Sequence, residues 1–180
     1  MIKKKILITL AVIIILFVVV VALQPAEYSV VRTATITAPA PAVFAQVNDF
    51  HKWEAWSPWA KIDPDMKQTY EGPPAGTGAI YTWTGNKKVG AGRMKLTESH
   101  PDYQIRIKLD FLKPFASTAM SEFVFNPEDT QTAVTWTMTG RKNFISKAFC
   151  MFMNMDKMVG GDFEKGLASL KPVVEAANPK

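Results

Sequence analysis

The last stretch of the chain, Asn143 to Ala177, constrains the fold more than any other. It reads NFISKAFCMFMNMDKMVGGDFEKGLASLKPVVEAA. In its second half Val159, Phe163, Leu167, Leu170 and Val174 recur every three or four residues, while Lys165, Ser169 and Lys171 lie off that stripe. That period predicts one amphipathic helix with a single apolar face, which must be buried against something. The first half is softer, with Phe144, Ile145, Phe149, Cys150, Met151, Phe152, Met153, Met155 and Met158. Methionine is the flexible filler of irregular cores and also of surfaces that take variable apolar ligands. The pattern favours a helix capping a sheet over a ligand wall.

The segments upstream look like that sheet. Tyr28–Thr37 is rich in Val, Thr and Ile and reads as a first strand, stopped by Ala38-Pro39-Ala40-Pro41. Pro41 suits the first turn of a helix with Val43, Phe44 and Val47 on its apolar face. Asn48-Asp49 then caps a second short helix, Phe50 to Trp56. Further strands follow at Lys67–Glu71, Gly78–Thr84, Lys88–Ser99, Tyr103–Leu112, Ser117–Phe125 and Gln131–Thr139. The third and fourth strands are joined by a Gly85-Asn86 hairpin turn, and Gly90 and Gly92 suggest a bulge. Tyr103, Ile105, Ile107, Leu109 and Phe111 alternate with Arg106, Lys108 and Asp110, the signature of an antiparallel strand with one wet face. Short turns between neighbours predict a meander, and the only cover for its apolar face is the final helix. The expected architecture is α+β: a curved antiparallel sheet of about seven strands with two short helices after strand 1, wrapped around a long C-terminal helix.

A second feature stands before the sheet. Ile6–Leu23 reads ILITLAVIIILFVVVVAL, with no charge and only Thr9 polar. A helix of that length rises about 27 Å, close to the hydrocarbon thickness of a bilayer. Lys3, Lys4 and Lys5 precede it, which by the positive-inside rule keeps the N-terminus cytoplasmic and sends the rest outward, to the periplasm or cell exterior. A cleaved signal peptide, cut after Val20-Val21-Ala22, is the competing reading; the length and β-branched density of the run favour a retained single-pass anchor. The expected organisation is an anchor at 1–23, a linker at 24–27, one domain at 28–177 and a tail at 178–180.

Charge and cysteine content exclude several function classes. The net charge of +5 falls to +2, with 18 basic and 16 acidic residues, once Lys3 to Lys5 are set aside. No basic cluster of the kind that binds nucleic acid remains. The single Cys150 rules out an intramolecular disulfide and a multi-cysteine metal site. With only His51 and His100 besides, no metal and no cofactor is expected.

The derived order, together with Thr37-Ala38-Pro39-Ala40-Pro41-Ala42-Val43-Phe44, resembles the START-like or SRPBCC superfamily and its helix-grip fold. Asn48-Asp49-Phe50-His51-Lys52-Trp53-Glu54-Ala55-Trp56-Ser57-Pro58-Trp59 and Asp162-Phe163-Glu164-Lys165-Gly166-Leu167 are similar to its polyketide cyclase/dehydrase-like branch. The resemblance covers Tyr28 to Ala177 and implies a deep, mainly apolar cavity between sheet and C-terminal helix. It does not fix an activity, because one fold hosts many functions.

On that implication the cavity would be lined by Trp56, Trp59, Tyr81, Trp83, Met94, Met120, Trp136, Met138, Met151, Met155 and Phe163. Pattern alone is equally consistent with these residues filling a core. Trp53, Trp56 and Trp59 either gate a cavity mouth or pack the short helices onto the sheet, and packing is favoured. No nucleophile elbow is present. Glu122, in phase with Met120 and Val124, is the one weak catalytic candidate, a general base if buried. Asp63-Pro64-Asp65 is expected to be solvated, and Arg93 and Arg141 either hold an anionic head group or lie on the surface. The function expected is non-catalytic binding of a hydrophobic small molecule or lipid, with the membrane engaged through residues 6–23. A cyclase or dehydratase using the same cavity, and an envelope interaction module with a filled core, are the alternatives.

Overall fold

Alternation of period two with short turns yields one antiparallel sheet in the computed structural model, which describes residues 2–152 and 154–177. Met153 and the tail 178–180 lie outside the described residues. The elements in chain order are α1 (Ile2–Leu23), β1 (Glu27–Ile36), α2 (Ala40–Val47), a 3-10 helix (Phe50–Ala55), β2 (Lys67–Glu71), β3 (Ile80–Thr84), β4 (Ala91–His100), β5 (Gln104–Lys113), β6 (Ser117–Glu128), β7 (Gln131–Arg141), α3 (Phe144–Cys150) and α4 (Met155–Ala177). The seven strands are ordered β1-β7-β6-β5-β4-β3-β2, so the chain closes β7 back onto β1 and leaves β1 and β2 as edges. This is the helix-grip α+β fold expected from the sequence.

Local chemistry explains the elements. Pro41 sits in the first turn of α2, where its missing N–H costs nothing. The Asp49 carboxylate accepts from the His51 N–H and caps the second short helix, which is a 3-10 helix. The β4 strand shifts register at Ala91/Gly92 and again at Leu96/Glu98, and such bulges strengthen the coiling of the sheet. The Gly85-Asn86 turn is longer than a two-residue hairpin: Gly90 N–H reaches back to the Asn86 carbonyl, and Lys88 N–H to the Asn86 side chain.

The long final helix is not continuous. It breaks after Cys150, and Asn154 starts α4 anew by accepting from the Lys157 N–H at 2.9 Å. Asn143 caps α3 in the same way, through the Ser146 N–H at 2.8 Å. Each asparagine competes with helix continuation by offering its side chain to the backbone. Of these two helices α4 buries an apolar stripe, made of Phe163, Leu167, Leu170 and Val174, whereas α3 buries no residue.

Beneath α4 the core is an aromatic stack. Trp136 lies between Phe163, with ring centroids 3.9 Å apart, and Phe123, at 4.7 Å. Its indole N–H donates to Ser121 Oγ at 2.8 Å, so the buried polar groups satisfy each other. Arg32 on β1 fixes the first turns of α4, with its guanidinium 3.0 Å from Asp156 Oδ1 and 2.5 Å from Glu164 Oε1. It crosses the helix at Gly160, where any Cβ would overlap the guanidinium.

Candidate functional site

The inward face of β2 to β5 carries Tyr70, Tyr81, Trp83, Met94, Leu109 and Phe111, because residues of the same parity share a face of a strand. The 3-10 helix and the segment after it place Phe50, Trp53, Ser57 and Trp59 opposite. Between the two walls lies a cavity of about 400 Å³. Its remaining lining includes Met66, Gln68, Val89, Gly90 and Met138, with Glu54, Lys88, Lys113, Pro114 and Met158 at exposed positions.

Two features keep this space open. Trp83 lies flat across β4 over Gly92, where a Cβ would overlap its ring, and its indole N–H is held by the Val89 carbonyl at 3.1 Å. Trp83 also stacks on Tyr81 at 5.9 Å. The hairpin behind Trp83 is pinned by Asp63, which is buried and accepts from the Asn86 N–H at 2.6 Å and the Asp65 N–H at 3.2 Å. Asp63 is therefore a structural cap of the loop, contrary to the expected solvated pair; the cost of burying it is met by two backbone donors.

Few polar groups face the cavity. Burial pushes the Tyr81 hydroxyl up to about 12, with the Tyr70 and Glu54 charges adding to the shift. Burial also raises Tyr70, followed by the charges of Glu54 and Asp49. At neutral pH both phenols are hydrogen-bond donors, not bases. Among the described residues no group of three His, Cys, Asp or Glu side chains is placed to hold a metal ion.

The sequence-derived residues separate into three groups. Trp59, Tyr81, Trp83, Met94 and Met138 line the cavity. Trp56, Trp136 and Phe163 lie in the filled aromatic core beside it, so the cavity sits under the β2–β5 half of the sheet and not under the middle of α4. Met120 and Glu122 are on the opposite face of the sheet, because Ala119, Ser121, Phe123 and Phe125 hold the inward parity of β6. Glu122 pairs there with Arg106 at 2.7 Å and accepts from Gln104, so it is no buried base. Met151 follows α3 at an exposed position, and Met155 opens α4 without lining the cavity. Arg93 approaches Glu71 on the outer face at 3.9 Å, and Arg141 ends β7 in an exposed position. Sequence reasoning did not single out Phe50, Met66, Gln68, Tyr70, Leu109 or Phe111 for the cavity. Leu109 and Phe111 were legible from the alternation of β5, and Tyr70 from its pairing opposite Tyr81.

The family described as polyketide cyclase/dehydrase and lipid transport matches residues 27–175. The chain belongs to that family. No curated protein matches it in sequence. Solved structures of similar fold include a Chromobacterium violaceum protein, 14% identical, with TM-score 0.58, covering 87% of this chain and all of that one. The Aha1 dimer of Colwellia psychrerythraea is 15% identical with TM-score 0.58, covering 84% of this chain and 99% of that one. CalU16 of Micromonospora echinospora is 14% identical with TM-score 0.58, over 86% and 78% of the two chains. At such identities these likenesses concern the fold alone. That family includes both cyclase/dehydrase chemistry and lipid transport.

Proposed function

We propose that this chain is a membrane-tethered family member whose domain, residues 28–177, binds a hydrophobic small molecule or lipid without transforming it. The observation that carries this reading is the 400 Å³ cavity, walled mainly by aromatic and methionine side chains. Pockets of roughly 300–1,000 Å³ with a few fixed polar groups are the common form of small-molecule sites. The phenols of Tyr70 and Tyr81, the Gln68 amide and the Ser57 hydroxyl supply the polar groups. They suit an apolar body with a short polar handle.

The cyclase or dehydratase alternative needs an acid or base against the substrate. Glu122 lies on the far side of the sheet, and a Tyr81 hydroxyl pushed up to about 12 does not give up its proton at neutral pH. The filled-core interaction module describes only the α4 half of the interior.

Lys3–Leu23 is long and apolar enough to cross a membrane, and nearly all of it is exposed. Retained as an anchor with Lys3 to Lys5 in the cytoplasm, it leaves the domain on the outer side. The test is native mass spectrometry of the full-length chain released from detergent. An adduct of small-molecule mass that organic solvent extracts is the expected result. Protein that is empty in every preparation and also leaves a fluorescent fatty acid unbound would overturn the reading.

A further inference from the structure

The strand register gathers one end of the sheet around the point where α1 joins it. Glu27 pairs with Arg141, Phe111 with Ser117, Ala91 with Lys113, and Lys67 with Thr84. The start of β1, the β5–β6 turn and the β3–β4 hairpin therefore share that end. The exit of α1 is held to it: Val21 is fully buried, Lys147 Nζ donates to the Ala22 carbonyl at 3.1 Å, and Lys142 N–H to the Ala26 carbonyl at 2.6 Å.

Large apolar side chains stand exposed around this exit. Phe115 is 72% exposed in the β5–β6 turn, and Phe152, just after α3, is 80% exposed; Ile145, Phe149 and Met158 are also open. Interleaved with them are exposed or half-buried Lys67, Lys88, Lys113, Arg141 and Lys147. The acids at this end among the described residues include Glu27, Asp65, Asp110 and Asp156, with Asp110 paired to Lys108 and Asp156 to Arg32, and the buried Asp63, while Glu54 stands at the cavity lining. The opposite end carries Asp49, Glu71, Asp102, Glu128 and Asp129. A face of aromatic and aliphatic side chains mixed with lysines, beside an apolar span, has the composition of an interfacial membrane surface, the alkyl stems of the lysines able to lie along lipid while the ammonium groups reach the head groups.

We propose that α3 with Phe152 and the β5–β6 turn with Phe115 form a docking face that rests on an anionic bilayer surface. Lys88, Lys113, Pro114 and Met158 are exposed cavity-lining residues at this same end, so the docked cavity opens onto the leaflet and its ligand comes from the bilayer. The proposal rests on the anchored reading above. It goes beyond that reading because a spanning α1 alone would let the domain stand off in solution.

The test uses the full chain in vesicles of phosphatidylcholine and phosphatidylglycerol. In a Cys150→Ser background, single cysteines from Ile13→Cys, Phe115→Cys, Phe152→Cys and Glu128→Cys carry an environment-sensitive fluorophore. Lipids bearing a spin label near the glycerol end or near the methyl end of the acyl chain are the quenchers, the first reading positions 115, 152 and 128 and the second the mid-span position 13. Quenching at 115 and 152 about tenfold above that at 128, reduced when phosphatidylglycerol is left out, is the expected result. Quenching at 13 with none at 115 and 152 would overturn the docking face and leave the anchor standing. A probe at 13 that is not quenched would overturn the anchored reading and the docking face with it. All four positions are exposed, so the replacements leave the core untouched.

Discussion

At the scale of single residues, Tyr81 shows how the cavity wall sets chemistry. Its folded value is raised from 10.0 to about 12, chiefly by burial. Above pH 10 the unfolded chain releases a proton that the folded chain keeps, so stability falls as pH rises through that window and is unaffected below it. Tyr81→Phe removes that dependence, and the urea midpoint of the variant should decline less steeply above pH 10 than that of the parent. Parity explains which residues the sequence assigned correctly. Tyr81, Trp83 and Met138 stand in strands whose opposite face is mostly threonine, so their direction was legible. Met120 and Glu122 stand in a strand whose inward positions include the small Ala119 and Ser121, while Met120 and Val124 put apolar side chains on the outer face. With both faces partly apolar the alternation loses its sign, and a one-residue ambiguity moves every side chain across the sheet.

Among the elements, α4 adds to its buried apolar stripe a polar clamp at its first turns. Arg32 reaches Asp156 and Glu164 one turn to either side of Gly160, and no side chain fits between. Gly160→Val should therefore push the flexible guanidinium off its carboxylates and cost about 1 kcal/mol, from the lost ion pairs and a β-branched residue in a helix, read as a lower denaturant midpoint at unchanged slope. The hydrogen bonds from Arg32 hold the Asp156 carboxyl below its ordinary value. Its contribution is present above the unfolded carboxylate value and lost as pH falls through the folded one, so Arg32→Gln should flatten the acid limb of the stability profile. The break between α3 and α4 was not legible, because Met151, Phe152, Met153 and Met155 carry the apolar pattern straight through it. Asn154 is the one signal, and a cap residue inside a periodic run competes with the stronger period. Asn154→Ala should cost about 1 kcal/mol through the lost cap.

Over the whole molecule the interior is divided in two. Under α4 the stacked rings of Phe163, Trp136 and Phe123 are buried against one another, and under β2 to β5 the Trp83 wall leaves a cavity. Sheet, cover and connectivity followed from period and turn spacing, but the division did not, since Trp136 and Trp83 look alike in sequence. What separates them is what stands opposite: Phe163 from α4 in one case, the backbone of Gly92 in the other. The two halves should respond differently to substitution. Phe163→Ala should cost about 3–5 kcal/mol while the folded protein keeps its ligand. The most direct measurement is a titration of the full-length chain and its Met94→Trp variant with a fluorescent fatty acid, with thermal unfolding of both recorded alongside. Met94 lies between Tyr81 and Leu109 on the cavity floor, so the larger ring fills the space a ligand needs. The expected result is saturable binding by the parent and at least about tenfold weaker binding by a variant that still unfolds cooperatively, a loss of roughly 1.4 kcal/mol or more. Equal uptake by the two proteins would place the ligand outside the cavity and contradict the account.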